Sequence, residues 1–185
     1  MRRNRTKTAI AAAFRQLLTD HPIDKITVRM ITDAVGCSRK TFYYYFTDVY
    51  DLTRYICSRQ IDDFLEHHND VENMREGFLK VLRFFRSDRQ VILNMYHGYG
   101  KEELERFVLK AIIESARRFI SAMPESRGVP EEDLDAVVRV ISYMFFGILV
   151  EWTGAEMPED SHYLKTMDTA LTTLPRTLKS LSVQP

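Results

Sequence analysis

The chain has 185 residues, 45 % hydrophobic and 28 % charged, with a formal net charge of zero. That length holds one domain or two small ones and excludes a large multidomain enzyme, while the composition excludes disordered and fibrous chains. The zero hides an asymmetry: residues 1–60 carry 11 Lys/Arg against 5 Asp/Glu, and the rest 15 against 21. A basic head on an acidic body points to phosphate contact by the head.

The cysteines, Cys37 and Cys57, are too few for a disulfide framework and have no metal-ligand spacing, the usage of a reducing cytosol. No stretch approaches the roughly 18 apolar residues of a membrane span, and the basic start MRRNRTKTAIAAAF lacks the apolar run of a signal peptide. A cytoplasmic protein with no membrane contact is expected.

In chain order, Ile10, Ala13, Phe14, Leu17 and Leu18 form the apolar stripe of a first helix behind an exposed basic leader, Arg2 to Lys7. Thr27 is a good N-cap for a short second helix with Val28, Ile31 and Val35 apolar, stopping at Gly36. Ser38 can cap a third, leaving only Gly36 and Cys37 between two helices of about eight residues each, which is helix-turn-helix spacing. Thr47 reads as the cap of a longer fourth helix with Val49, Leu52 and Ile56 inward.

Beyond it, Val71, Met74, Phe78, Val81, Leu82 and Phe85 give a fifth helical stripe, and VILNMYHGYG a short sixth element closed by Gly98 and Gly100. Leu104, Phe107, Val108, Ala111, Ser115 and Phe119 give a seventh, followed by the loop PESRGVP. The next segment, Leu134, Val137, Val138, Ile141, Phe145, Ile148, Leu149 and Trp152, has an apolar face wider than a monomer's surface helix would expose. The last, Leu164, Met167, Leu171, Leu174, Leu178 and Leu181, alternates steps of three and four like a heptad seam, with Pro175 inside it. That proline should kink the axis or cost about 3 kcal/mol of helicity unless packing supports it. With no period-2 strand pattern and no repeat, the chain reads as all-α, a three-helix head over residues 1–48 and a larger all-helical body over 49–185.

Five aromatics run together from Phe42 to Phe46 in the third helix. At about 100° per residue, Phe42 and Phe46 share a face and are the core anchors. Lys40 and Tyr44 then point nearly opposite, Thr41, Tyr43 and Tyr45 lie on the flanks, and Arg39 lies in the exposed first turn. Exposed tyrosines beside Lys and Arg suit DNA: hydroxyls and helix amides bond phosphates, and ring carbons can meet thymine methyls. Packing of one or two of these tyrosines on the fourth helix is the alternative.

The stretch ITVRMITDAVGCSRKTFYYYFTDVYDL resembles the N-terminal DNA-binding domain of the TetR family of transcriptional regulators, with Thr27, Ala34, Gly36, Ser38, Thr41, Phe42, Tyr43, Phe46 and Leu52 at the family's spacing. The resemblance implies a homodimer placing two recognition helices in successive major grooves of a palindromic operator, about 34–36 Å apart or slightly more, with repression the usual output. It implies that Arg29, Ser38, Arg39, Lys40, Thr41 and Tyr43 approach bases or phosphates, with Tyr44, Tyr45 and Thr47 on neighbouring backbone. One departure is Val49, which stands where family members often carry a phosphate-clamping lysine, so that the contact is either missing or replaced by Thr47 or by its backbone amide.

By the same resemblance the body holds a pocket for a small hydrophobic or aromatic effector, lined by Phe85, Met95, Tyr96, Tyr99, Tyr143 and Met144, and effector binding moves the fourth helix. The family's dimer forms from its last two long helices, which here offer Val138, Phe145, Leu149, Trp152, Met167, Leu171, Leu174 and Leu178. Asp63 and His67 fall at i, i+4, the spacing of one edge of a metal site or simply a solvated helix end, and His97, beside Tyr96 and Tyr99, reads either as a cavity-lining residue or as a capping or surface histidine. No nucleophile elbow, HExxH or glycine-rich phosphate loop is present, so no catalytic residue, metal or cofactor is assigned. A second reading keeps the DNA-binding head but has the body dock a partner protein and bind no inducer.

Overall fold

The computed structural model describes residues 2–67, 74–159 and 161–182, without the side chains of residues 2–4, 61, 62, 64–67 and 161. Val71 and the side chains of Arg2, Arg3 and His67 therefore lie outside the described residues. Among these residues the chain is all-helical: α1 (Arg2–Asp20), α2 (Val28–Val35), α3 (Arg39–Tyr45), α4 (Val49–His67), α5 (Met74–Ser87), α6 (Arg89–Tyr96), α7 (Lys101–Ala122), α8 (Glu131–Gly154) and α9 (Ser161–Leu181). None is long and apolar enough to cross a membrane.

Two compact units divide the chain, and neither is one continuous segment: residues 1–63 with 88–107, and residues 64–87 with 108–185. In the first, α1 packs on α2 and α6, and α2 on α3. Its core comprises Ile10, Phe14 and Leu18 of α1, Ile23 and Ile26 of the turn after it, Ile31, Phe42, Phe46, Leu52, Ile56, Cys57, Val91 and Met95. The α1 stripe is the one its period requires. Lys7, in the expected exposed leader, is half-buried instead, its ammonium 4.0 Å from the Tyr55 ring centre and 5.3 Å from that of Phe46.

The α4 cap differs from expectation. Asp48 Oδ1 accepts from the Asp51 amide at 2.7 Å, and Asp51 Oδ2 accepts from the Thr47 amide at 3.0 Å. Asp48 is the cap, because its carboxylate reaches three residues on where a threonine at 47 would be one residue too early.

The turn before α2 and the turn after α6 interlock. Ile23–Lys25 forms a single 3-10 turn with Ile23 buried. Tyr99 donates its amide to Asp24 Oδ1 at 3.1 Å and its hydroxyl to the Ile23 carbonyl at 3.2 Å. The glycines on either side permit this approach: a Cβ on Gly98 would lie 2.5 Å from Ile23 Cγ2, and one on Gly100 2.9 Å from Ile23 Cδ1. Asn94 adds a bond from its amide nitrogen to the Leu18 carbonyl, and Arg15 pairs with Asp88.

In the second unit α8 packs on α9, α9 also on α5, and Phe78 stacks on Phe145 with ring centres 5.1 Å apart. Pro175 does not end α9, which runs on to Leu181 with Leu174 and Leu178 buried on either side of it. That packing meets the proline's helical cost. Beyond α8 the chain turns through Glu156 and Met157, both in the left-handed region at φ 60° and 58°. Trp152 holds this turn, its indole donating to the Pro158 carbonyl at 3.0 Å while Arg86 donates to the same oxygen at 2.7 Å. The Arg86 guanidinium also lies 5.6 Å from the Trp152 ring centre.

Gly98→Ala should destabilise the protein by about 1–3 kcal/mol, since its methyl would overpack a buried β-branched side chain; urea unfolding measures this. Burial first, then the neighbouring Tyr50, Asp24 and Asp48, pushes the Tyr99 hydroxyl up to about 12 from its ordinary 10. The unfolded chain thus ionises first, and the stability contributed by Tyr99 is complete below pH 10 and lost as pH rises through about 12. Melting temperatures followed by circular dichroism should fall across that window, and fall less in Tyr99→Phe.

Candidate nucleic-acid interface

Two short helices and their turn build the candidate surface. Thr27 Oγ1 accepts from the Met30 amide at 3.3 Å to start α2, and Gly36 ends it at φ 72°, a left-handed conformation open to glycine without strain. The Cys37 amide then donates to the Thr32 carbonyl at 3.0 Å, closing the helix end. Ser38 Oγ accepts from the Thr41 amide at 3.1 Å and starts α3. The sharp turn therefore has its backbone groups satisfied at both ends.

Phe42 is fully buried and Phe46 nearly so, their ring centres 5.8 Å apart. Phe46 lies just past the end of α3 in extended backbone, its amide still bonded to the Phe42 carbonyl. With that side sealed, Arg39, Lys40, Tyr43 and Tyr44 face outward, Tyr43 at 57 % and Tyr44 at 59 % exposure. Tyr45 is half-buried and meets Tyr44 edge-on at 4.9 Å between ring centres. Thr41 is half-buried beside Ser38, their hydroxyl oxygens 3.0 Å apart.

Arg29, on α2, is exposed and pairs at 3.5 Å with Asp33, one turn on. Thr47 is exposed, but its amide is already given to Asp51, so the backbone replacement expected for the missing lysine at Val49 is not available. Arg29, Ser38, Arg39, Lys40, Thr41, Tyr43, Tyr44, Tyr45 and Thr47 all belong to the first compact unit.

Both cysteines are free thiols. Cys57 is buried, and its thiol is pushed up to about 12 by that burial and then by the charge of Glu103. Burial also raises the thiol of Cys37, between α2 and α3.

The residues expected to line an effector pocket fall in both units. Met95 is sealed in the core of the first, Tyr96 is buried with the Lys101 ammonium 4.7 Å from its ring centre, and Tyr99 is engaged as described. Phe85, Tyr143 and Met144 belong to the second, where Phe85 is buried, Met144 half-buried and Tyr143 half exposed.

The residues expected at a dimer interface lie almost entirely inside the chain. Val138, Phe145, Leu149, Trp152, Met167, Leu174 and Leu178 are all at most 3 % exposed, and Leu171 is half-buried. Side chains so covered have almost no surface left for a second copy. The uncovered apolar positions of α8 include Ala136, Val140, Tyr143 and Gly147, at i, i+4, i+7 and i+11, with Val140 at 66 % and Tyr143 at 51 % exposure. The sequence did carry that spacing, but the wider buried stripe of the same helix masks it.

A capped two-helix turn presenting cationic and phenolic side chains from its second helix defines a helix-turn-helix DNA-binding protein. Two family models agree: "Bacterial regulatory proteins, tetR family" matches residues 10–55, and "Transcriptional regulator C-terminal region" matches residues 72–173, more than half the chain. The chain belongs to the TetR family and is a DNA-binding transcriptional regulator.

No curated protein matches it in sequence. Solved structures with the same fold include the dihydroxyacetone kinase operon activator DhaS, 18 % identical with a TM-score of 0.69 over 96 % of this chain and 98 % of that one. RolR in complex with resorcinol is 15 % identical, TM-score 0.65, over 99 % and 97 %. NalD, the secondary repressor of the MexAB-OprM multidrug efflux pump in Pseudomonas aeruginosa, is 14 % identical, TM-score 0.62, over 94 % and 96 %.

Lys40→Ala should reduce the slope of log K against log salt by about 0.9 for each phosphate its ammonium neutralises, read by fluorescence anisotropy on duplex DNA across a salt series. A slope equal to wild type would show that Lys40 touches no phosphate.

Proposed function

We propose that this chain is a homodimeric, ligand-responsive repressor that binds a palindromic operator in the cytoplasm, with residues 1–48 reading DNA and residues 49–185 serving dimerisation and the effector. The observation that carries the reading is α3 itself, whose Arg39, Lys40, Tyr43 and Tyr44 are exposed while Phe42 is sealed beneath them. Arg39, Lys40 and Tyr43 meet base edges or phosphates, and Arg29, Ser38, Thr41, Tyr44, Tyr45 and the Thr47 side chain fix the register on the backbone.

The second copy packs on the face of α8 carrying Ala136, Val140, Tyr143 and Gly147, and the buried residues of α8 and α9 support that face from within. A stable pairing of this kind buries about 2,000 Å² or more in total. The effector is a small hydrophobic or aromatic compound held in the second unit, with Phe85 and Met144 the expected residues best placed to contribute. RolR, a fold neighbour captured with resorcinol, supports that chemistry. An effector relieves repression only by binding the DNA-incompetent arrangement more tightly.

Selection of bound duplexes from a random pool tests the reading: a palindrome with half-sites about one helical turn apart is expected, and a non-palindromic or absent motif would sink it. A reporter driven from that palindrome decides the sign of regulation, with falling expression expected. Val140→Glu combined with Tyr143→Glu should give a folded monomer at micromolar concentration by light scattering. Phe145→Arg should unfold the protein instead, because a charge would replace a sealed aromatic.

A further inference from the structure

The cations of α3 are confined to its first turn. Arg39 and Lys40 stand there, while residues 41–53 include no Lys or Arg and two aspartates, Asp48 and Asp51. Those carboxylates already accept the amides that open α4, Asp48 from Asp51 and Asp51 from Thr47. The next cation, Arg54, is drawn to Asp51 at 3.4 Å and to Glu103 at 3.9 Å. A phosphate backbone lying along α3 therefore meets positive charge at one end and, at the α3–α4 corner, two carboxylates and the negative end of a helix.

α1 brings a cation to that corner. Lys7 stands three residues before Ile10 and seven before Phe14, on the stripe that is fully buried further along the helix. The helical period turns it inward, and a lysine so placed lays its stem on the core and carries its ammonium to the edge. The edge here is aromatic. The ammonium lies 4.0 Å from the ring centre of Tyr55 and 5.3 Å from that of Phe46, the residue that closes α3. Ring faces hold a cation in place without neutralising it, as a carboxylate would. Among the described residues no carboxylate pairs with Lys7. All these residues belong to the first compact unit.

We propose that Lys7 is a further phosphate contact of the DNA interface, its ammonium fixed by the Phe46 and Tyr55 rings at the end of α3, where it supplies the cation that residues 41–53 lack. The contact reads no base, so it strengthens binding to any duplex and sets register rather than sequence preference. The inference rests on the reading of α3 as the helix that meets DNA.

The test uses the full-length protein, a duplex recovered by the selection and a duplex of random sequence, with affinities followed by fluorescence anisotropy across a salt series. Lys7→Met keeps an aliphatic stem against the rings and removes the charge. On both duplexes it should make the slope of log K against log salt shallower by about 0.9 for each copy bound, so that its line meets that of wild type as salt approaches about 1 M. Lys7→Arg, which keeps the charge and stacks on aromatic faces, should hold the wild-type slope. A purely structural Lys7 would displace the line in parallel, and parallel or coincident lines overturn the proposal. Should Lys7→Met not fold, Lys7→Gln carries the same measurement. When single backbone phosphates of the selected duplex are replaced by neutral methylphosphonates, wild type should lose affinity at a position to which the Lys7 variant is indifferent, and the absence of such a position also overturns it. Loss of slope in Lys40→Ala with none in the Lys7 variant confines the failure to Lys7, whereas wild-type binding that ignores salt overturns the reading of α3 itself.

Discussion

The burial of Phe42 and Phe46 is the constraint on which the proposed DNA-reading surface depends. A helix of seven residues has too few backbone bonds to hold its own orientation, so its rotation is set by whichever side chains the core accepts. The core accepts these two rings, alongside Phe14, Leu18 and Ile31, and the rotation follows. Lys40 and Tyr44 are turned outward as a geometrical consequence of that burial. The Ser38 cap and the left-handed Gly36 keep α2 and α3 at their sharp turn, so the anchors and the exposed residues stay in register.

A head of three helices, two of them short, has a poor ratio of buried to exposed surface. Here it is completed by a segment remote in sequence, since Val91 and Met95 of α6 enter its core and the turn after α6 closes over Ile23. The proposed DNA-reading head and the middle of the chain therefore share one core.

The second unit shows how one sequence pattern can have two structural causes. The seam of Met167, Leu171, Leu174 and Leu178 has heptad spacing, which suits a helix paired with another chain and equally a helix paired with its neighbour in the same chain. In this fold most of it is spent on intrachain packing, as are Phe145 and Leu149 of α8. Trp152, whose bulk invites an interface role, holds the strained turn at Glu156 and Met157 through its indole and its stacking with Arg86. What remains for a second copy is a narrower stripe of mostly small residues around Val140 and Tyr143.

Local chemistry was readable directly. The caps Thr27 and Ser38, the helix end at Gly36, the α1 stripe and the inward pair Phe42 and Phe46 all depend on residues within a turn or two of one another, and the motif they form carried the family with it. Even so, the α4 cap fell one residue away, because Thr47 and Asp48 are both good caps and only the reach to Asp51 separates them. Periodicity told which faces are apolar but not what covers them, since burial is a property of two surfaces and a sequence displays one at a time. The tertiary structure alone decided that the α9 seam closes inside the chain, that Lys7 turns back onto Tyr55, and that Tyr99 meets Asp24. Those outcomes join residues far apart in sequence, where spacing carries no information and packing selects the partner.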